Sequence, residues 1–432
     1  MIKLGWKHTQ QNDTLVKFFI LSLTLLLIRS STLAQNIVFE DKIYDDNIKS
    51  VLLYPASQDP YPEFRSEIIN LRQDVPLLLQ FDELYYDFSD YFFKIIRANA
   101  DWKKSIMPEL EYLFEYNEFP IVNYDYSQNT KIPYTSYRVE LPKVKQTGNY
   151  LLAVYRRNDG EQLVLTKRFV VFTNNVEINS VFGNNLINRS NPKKHRFEFS
   201  INYGSLESFS PVQDFSIVIR QNQRWDNALT TFAPSMIRED IGIMEFQGFA
   251  GENSMDAGNE FRFFDLRGYT YRGQNIGEIN RGKEMTSASL LVDQNRSNQA
   301  YSIIQDRNGK YFNQTLEPGA SAFEQDYMKT KFTLNVPKQK SDIYVVGHFN
   351  LWQRNKRSKM TFNKNSDNYS VEILMRQGYY DYMYWLDSDE PWQVEGSYFE
   401  TENQYELLVY YRPPGTQFDY LVGYATFNSG TY

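Results

Sequence analysis

Few residues of this chain have the types and spacing that chemistry needs. Past the N-terminal segment only two histidines remain, His195 and His348, far apart in sequence. A lone histidine is more often a satisfied structural group than a base. There is no cysteine, which excludes disulfides, thiolate metal sites and thiol catalysis. No HExxH, GxSxG or Walker loop occurs, so the signatures of zinc hydrolysis, a nucleophile elbow and phosphate cradling are missing. Carboxylates are plentiful, at 53 Asp and Glu, and a glycosidase needs only two, roughly 5–9 Å apart. Pairs such as Glu109/Glu111 or Asp87/Asp90 more often cap turns or face solvent. The sequence points to a non-enzyme with no catalytic residues, no cofactor and no bound metal.

Three stretches have the residue types that hold partners instead. The first runs from Asn99-Ala100-Asp101-Trp102 through Phe119-Pro120-Ile121 to Asp125-Tyr126 and Tyr134-Thr135-Ser136-Tyr137. It reads either as a loop packed over a core, the favoured sense, or as an interaction loop. The second is Gly258–Arg267, where charged and aromatic residues alternate, followed by Tyr269–Arg272. Arginine and aromatics are enriched in protein interfaces, so Glu260, Arg262, Asp265, Arg267, Tyr271 and Arg272 are candidate partner-binding residues. An internal network of the middle domain accounts for them equally well. The third is Gly347-His348-Phe349-Asn350-Leu351-Trp352 followed by Gly378–Trp385. It resembles the sandwich module of glycogen-branching and starch-debranching enzymes. In that reading Trp352, Trp385 and Trp392 offer aromatic platforms for a glycan, although packing of the turn explains Trp352 as well.

The elements that position these stretches are strands. The chain holds 33 Tyr and 31 Phe in 432 residues, a bias that favours pleated, half-buried surfaces. Short apolar runs recur between turn residues, among them Val51–Tyr54, Leu77–Phe81, Tyr91–Ile96, Tyr150–Tyr155, Phe215–Ile219 and Tyr405–Tyr411. Many alternate with period two, as in Arg196–Ile201, the mark of a strand with one buried face. Asn158-Asp159-Gly160 predicts one hairpin. Asp306–Gly309 predicts a second, between Tyr301–Gln305 and Tyr311–Asn313. Helical spacing is scarce, and its best case is Ile106–Tyr116, about three turns at most. The fold class expected is mainly β, as tandem immunoglobulin-like sandwiches. Boundaries fall near Thr173–Asn175 and Pro318–Asp326, giving domains 35–175, 176–325 and 326–432.

Residues 1–34 read as a secretory signal. Lys3, Lys7 and Lys17 precede the apolar run Phe18–Ile28, and small residues end at Ala34. That run is too short to span a bilayer, and no later run is long enough. Its removal takes four basic residues and one acidic residue, so the mature chain is more acidic than the formal −7 of the whole. This disfavours nucleic acid and anionic membrane surfaces as partners. An exported chain of this size without cysteine suits a bacterial periplasm.

Taken in order, the three stretches resemble the plug protein family of the type IX secretion system. Further matching stretches are Gln221–Asn227, Glu324–Tyr327 and Thr401–Tyr405, so the resemblance covers nearly the whole mature chain. The family pattern has histidine where this chain has Ser136, and often cysteine near Ala98-Asn99. The resemblance implies a periplasmic protein of Bacteroidetes-type bacteria, peripheral to the outer membrane and a monomer within a complex. It implies one partner, the giant outer-membrane β-barrel translocon, whose periplasmic mouth it closes. The alternative from the residues themselves is a periplasmic glycan-binding protein.

Overall fold

The computed structural model describes residues 37–158, 160–180, 192–247 and 253–429. The expected signal and the polar stretch at Gly183–Asn185 lie outside them. The regular structure of the described chain is mainly antiparallel β-sheet.

The first sandwich sets two sheets face to face. One contains Lys42–Ile43, Gly160–Phe172, Gly148–Asn158, Tyr91–Ala98 and Phe119–Ile121 in spatial order, with Ile68–Asn70 added in parallel. The other runs Ile48–Pro55, Leu77–Glu83, Thr135–Glu140, Asn123–Tyr126. The period-two pattern explains the burial. Leu77, Leu79 and Phe81 point inward to meet Phe93, Ile95, Leu152 and Val154. Each fully buried side chain of this size contributes about 1.5–3 kcal/mol. The hairpin expected at residues 158–160 forms, with Asn158 opposite Gly160.

The remaining chain builds two more sandwiches, and they interleave. Phe215–Gln221 pairs with Gln404–Tyr411, which pairs with Tyr420–Asn428. These face Glu177–Ser180, Glu198–Asn202, Ile243–Gln247 and Met236–Arg238 across one core. Between the two halves of this second sandwich, in sequence, comes the third. Its sheets hold Arg262–Asp265, Gly378–Leu386, Tyr311–Asn313 and Ile343–Val346 on one side. On the other lie Ile276–Arg281, Thr286–Leu290, Tyr327–Asn335, Asn368–Arg376 and Thr361–Asn363. Thr286–Leu290 and Tyr327–Asn335 pair in parallel across position 325.

Two local expectations change. The helix expected over Ile106–Tyr116 is one turn, Glu109–Tyr112. It opens after Pro108 and ends because Leu113 turns extended and bridges Val144. The second hairpin does not form either. Tyr311–Asn313 pairs with Gly378–Leu386 instead, while Tyr301–Gln305 takes no strand. Asp306 and Gly309 make a turn packed under the third sandwich. Gly309 has φ +80°, and a Cβ there would lie 2.4 Å from the Trp352 ring.

Charged groups, not only apolar ones, meet where the three sandwiches join. Arg220 from the second donates to Glu67 of the first at 2.9 Å and to Glu406 at 2.6 Å. Burial raises the Glu67 carboxyl, but Arg220, Lys167 and Lys310 outweigh it and hold it well below the usual carboxylate range. Lys310 of the third sandwich is buried beside this pair. Nearby Asp82 of the first sandwich accepts from Arg376 at 2.8 Å and from the Tyr327 hydroxyl at 2.7 Å, both from the third. Buried ion pairs add little net stability, but breaking one is costly, so they fix registry between the parts.

Candidate partner-binding surfaces

The six residues expected at a partner surface separate into three environments. Arg262 is inside. Its Nε lies 3.1 Å from both carboxylate oxygens of Glu395, its Nη1 donates to Asp293 at 2.7 Å, and its Nη2 donates to the Gln294 carbonyl. Arg296 adds a second guanidinium on Glu395 at 2.7 Å. Burial pushes the Glu395 carboxyl up, but Arg262 and Arg296 outweigh it and hold it at about 2. The hydroxyls of Tyr382 and Tyr384 donate to Asp293. Glu260 is also buried, accepting from the Tyr301 hydroxyl at 2.5 Å and from the Glu402 amide at 3.0 Å. Asp265 and Arg267 are half-buried and pair with each other at 2.7 Å. Only Tyr271, 81% exposed, and Arg272 face outward. Arg272 donates to the Gly277 carbonyl.

The three tryptophans do come together, in a small cluster with Phe261, Val346 and Met383. Trp352 and Trp385 carry guanidinium groups. The Arg224 guanidinium sits 4.1 Å from the Trp352 centroid and 5.7 Å from Trp385. Arg354 lies 5.3 Å from Trp385, and Trp392 packs edge-on to Trp385. These contacts fit a packing role for the rings beside the glycan reading. Trp352 itself sits at φ +60° directly after Leu351 at +54°, and its amide donates to the Gly347 carbonyl.

The groups nearest to catalytic chemistry are buried and structural. His195 is bonded at both ring nitrogens, to the Tyr405 hydroxyl and the Phe399 carbonyl, each at 2.6 Å. His348 is buried with no partner on Nδ1 among the described residues, and burial keeps it well below its ordinary value. Asp306 is raised to about 7, first by burial and then by the nearby Glu260. Its carboxylate accepts the amides of Phe261 and Asn308, so it holds a turn. Neither Asp306 nor Asp381 lines the cavity of about 270 Å³ between the first and third sandwiches, whose walls include Ile43, Ile48, Met375 and Tyr380. Among the described residues no His, Cys, Asp and Glu group could hold a metal ion.

The stretch from Asn99 to Tyr137 divides in the opposite sense. Trp102 packs edge-on to Trp225, and Tyr134 packs edge-on to Tyr327, so each ties the first sandwich to another. Further along, aromatics emerge at the outermost strand of its second sheet, Asn123–Tyr126. Tyr85 and Tyr86 are each 55% exposed, Phe88 44% and Tyr124 37%. Their rings touch in a chain. Tyr86 meets Tyr126 at 5.1 Å, Tyr126 meets Tyr124 at 5.4 Å, and Tyr124 meets Phe88 at 5.1 Å. Tyr124 also reaches Tyr137 at 6.0 Å, and Tyr137 stacks on Phe81 in the core. The lip therefore continues the core outward past the last strand. Its loop is fixed, because Thr135 donates to the Tyr85 carbonyl and the Ser89 amide donates to the Tyr137 hydroxyl. Sequence reasoning did not single out Tyr85, Tyr86 and Phe88. The available signal was three aromatics within four residues, in a turn between two strong strands.

Residues 48–173 match the family model described as type 9 secretion system plug protein, first domain. A crystal structure of a hypothetical protein from Parabacteroides merdae superposes with a TM-score of 0.84 at 26% identity, over 91% of this chain and 100% of the other. No protein of curated function matches. The matched segment contains the whole aromatic lip. Over residues 48–173, then, the chain carries the first domain of the type IX secretion system plug family, which bears out the resemblance read from its sequence.

Proposed function

We propose that this protein is a periplasmic plug subunit of the type IX secretion system. It binds the periplasmic mouth of the giant outer-membrane barrel and closes it by contact, without catalysis. The observation that carries this reading is the plug-domain match over residues 48–173. The architecture supports it, since interlocked sandwiches tied by buried ion pairs make a stiff body suited to obstructing a pore. The absence of any long apolar helix among the described residues is compatible with a protein held by its partner. Of the six residues first expected at the interface, Tyr271 and Arg272 can reach a partner without unfolding.

The test is uptake of a bulky, normally excluded antibiotic in wild-type and deletion strains. Deletion should sensitise cells that keep normal translocon levels but lack its other partners. Equal sensitivity would remove the plug reading. Residues 35–432 expressed without residues 1–34 should not rescue the deletion, because the protein would stay in the cytoplasm.

A further inference from the structure

The lip has a second property, carried by the backbone. The Ser127 amide donates to the Tyr134 carbonyl, so residues 127 and 134 form a hydrogen-bonded pair of the antiparallel ladder. Bonded pairs recur every second residue. In the register of the two strands the next ones are Asp125 with Ser136 and Asn123 with Arg138. The amide and carbonyl groups of Tyr124 and Tyr126 therefore point away from the sheet. Asn123–Tyr126 is the last strand of its sheet, and no partner is recorded for those groups among the described residues. Beyond it the Gln128 amide is already taken by the Phe323 carbonyl.

Native sheets normally blunt such an edge with proline, lysine, a bulge or a covering segment. Here positions 123–126 are Asn-Tyr-Asp-Tyr, with no proline, no lysine and no bulge in the register. Asp125 carries the one charge and sits near Arg138. The same edge bears a contiguous set of aromatics, the exposed Tyr86, Phe88 and Tyr124 with the half-buried Tyr126. Contiguous apolar surface on a soluble protein marks an interaction site, and tyrosines serve as anchors there.

We propose that the open edge at Tyr124 and Tyr126, with the lip of Tyr86 and Phe88, docks an extended segment of a protein partner as an added strand. The segment pairs its backbone with the groups of Tyr124 and Tyr126. Its alternate side chains are apolar, because one face must lie on the lip while the other meets water. A run of about four to six residues matches this edge. In the reading above the segment belongs to the translocon, and to that extent the proposal rests on it. A closed barrel wall has no free edge to offer, so the contact is a terminal or loop segment.

The experiment recovers the translocon from detergent-solubilised outer membranes with tagged full-length mature protein. Tyr124→Pro removes an outward amide and leaves the ladder to Thr135–Glu140 intact. Tyr86→Ser with Phe88→Ser removes the lip and leaves the edge. Each should lower recovery at least about tenfold, the loss expected for an anchor, with circular dichroism unchanged. Phe209→Ser, an exposed residue of the second sandwich, should recover translocon like wild type. Wild-type recovery by both folded edge variants would overturn the proposal. If Tyr124→Pro does not fold, the serine pair decides alone. Failure of wild type to recover any translocon would sink the proposed function instead. A photo-cross-linking residue at position 124 in intact cells then decides. An adduct mapped to an extended, alternately apolar segment of another protein keeps the docking site. No adduct, or one only to a second copy of this chain, removes it.

Discussion

Two stretches of this chain have nearly the same ingredients, and the fold gives them opposite roles. Gly258–Arg267 and the segments 85–88 and 122–126 all mix aromatics with acidic groups. In the first, Arg262 and Glu260 are turned inward and fully committed to Glu395, Asp293 and Tyr301. In the second, Tyr86, Phe88 and Tyr124 are turned out and meet only aromatic neighbours, Tyr126 and Tyr137 among them. The difference lies in what covers the strand. Arg262–Asp265 sits beside Gly378–Leu386 and under the Asp293–Gln294 and Glu395 segments, so its polar side chains must pair or not fold. Both strands are last in their sheets, but the outer edge of Arg262–Asp265 is covered, because the Asp265 amide donates to the Gln274 carbonyl and the Asn275 side chain to the Phe263 carbonyl, while that of Asn123–Tyr126 is open among the described residues. Buried charges hold this molecule to one arrangement, while exposed rings leave one arrangement unfinished.

The sharpest way to break this comparison is Arg262→Ala. It leaves Glu395 and Asp293 buried with too little positive charge, and should cost about 3–5 kcal/mol, read as a lower urea midpoint at unchanged slope. A loss under about 0.5 kcal/mol would mean that the network is not closed in solution.

Lys310→Met tests the junction. Burial lowers this lysine from 10.5 to about 8, partly offset by Glu67. Between those values the unfolded chain holds more protons than the folded one, so wild-type stability rises with pH there. The variant should therefore be more stable at pH 7, by about 1–2 kcal/mol, and the gain should vanish as pH climbs from 8 to 10.5. A gain independent of pH would mean that the lysine is not desolvated.

Asp306→Asn has a smaller expected effect with the opposite slope. Burial raises this carboxyl from 3.8 to about 7, so the folded state holds its proton longer and wild-type stability falls between those pH values. Glu260 titrates with it, and the slope belongs to the pair. The asparagine should flatten the fall, with a relative gain of about 1 kcal/mol at pH 8 over pH 4. An unchanged pH profile would move the titration elsewhere.

Smallest of all should be Tyr86→Ser with Phe88→Ser. Exposed side chains away from special features change stability by about 0.5 kcal/mol or less. A shift in thermal midpoint of more than a few degrees would show that the lip is part of the core and not a surface.

Much of the strand inventory was legible. Leu77–Phe81, Tyr91–Ile96 and Tyr405–Tyr411 lie within strands, because alternation is a local property and burial of one face follows from it. The first-domain family resemblance was legible for the same reason, since it resides in contiguous residues. The helix over Ile106–Tyr116 was overread, because local spacing could not see that Leu113 bridges Val144. The hairpin at Asp306–Gly309 was overread because Tyr311–Asn313 finds a better partner in Gly378–Leu386.

By itself, then, the sequence determined the strand class and the plug-type first domain. Each depends on residue types and short spacings. Tertiary structure alone decided which charged and aromatic stretch is inside and which is out. It also decided that Phe215–Gln221 pairs with Gln404–Tyr411 across the whole third sandwich. The physical reason is that burial depends on which segments come to cover a strand, and Asp293 and Glu395 arrive over Arg262 from distant sequence. Arg262 and Tyr124 stand on strands of similar length and polarity. Both strands are last in their sheets; one has its outer edge covered by other segments, the other does not, and no local pattern distinguishes them.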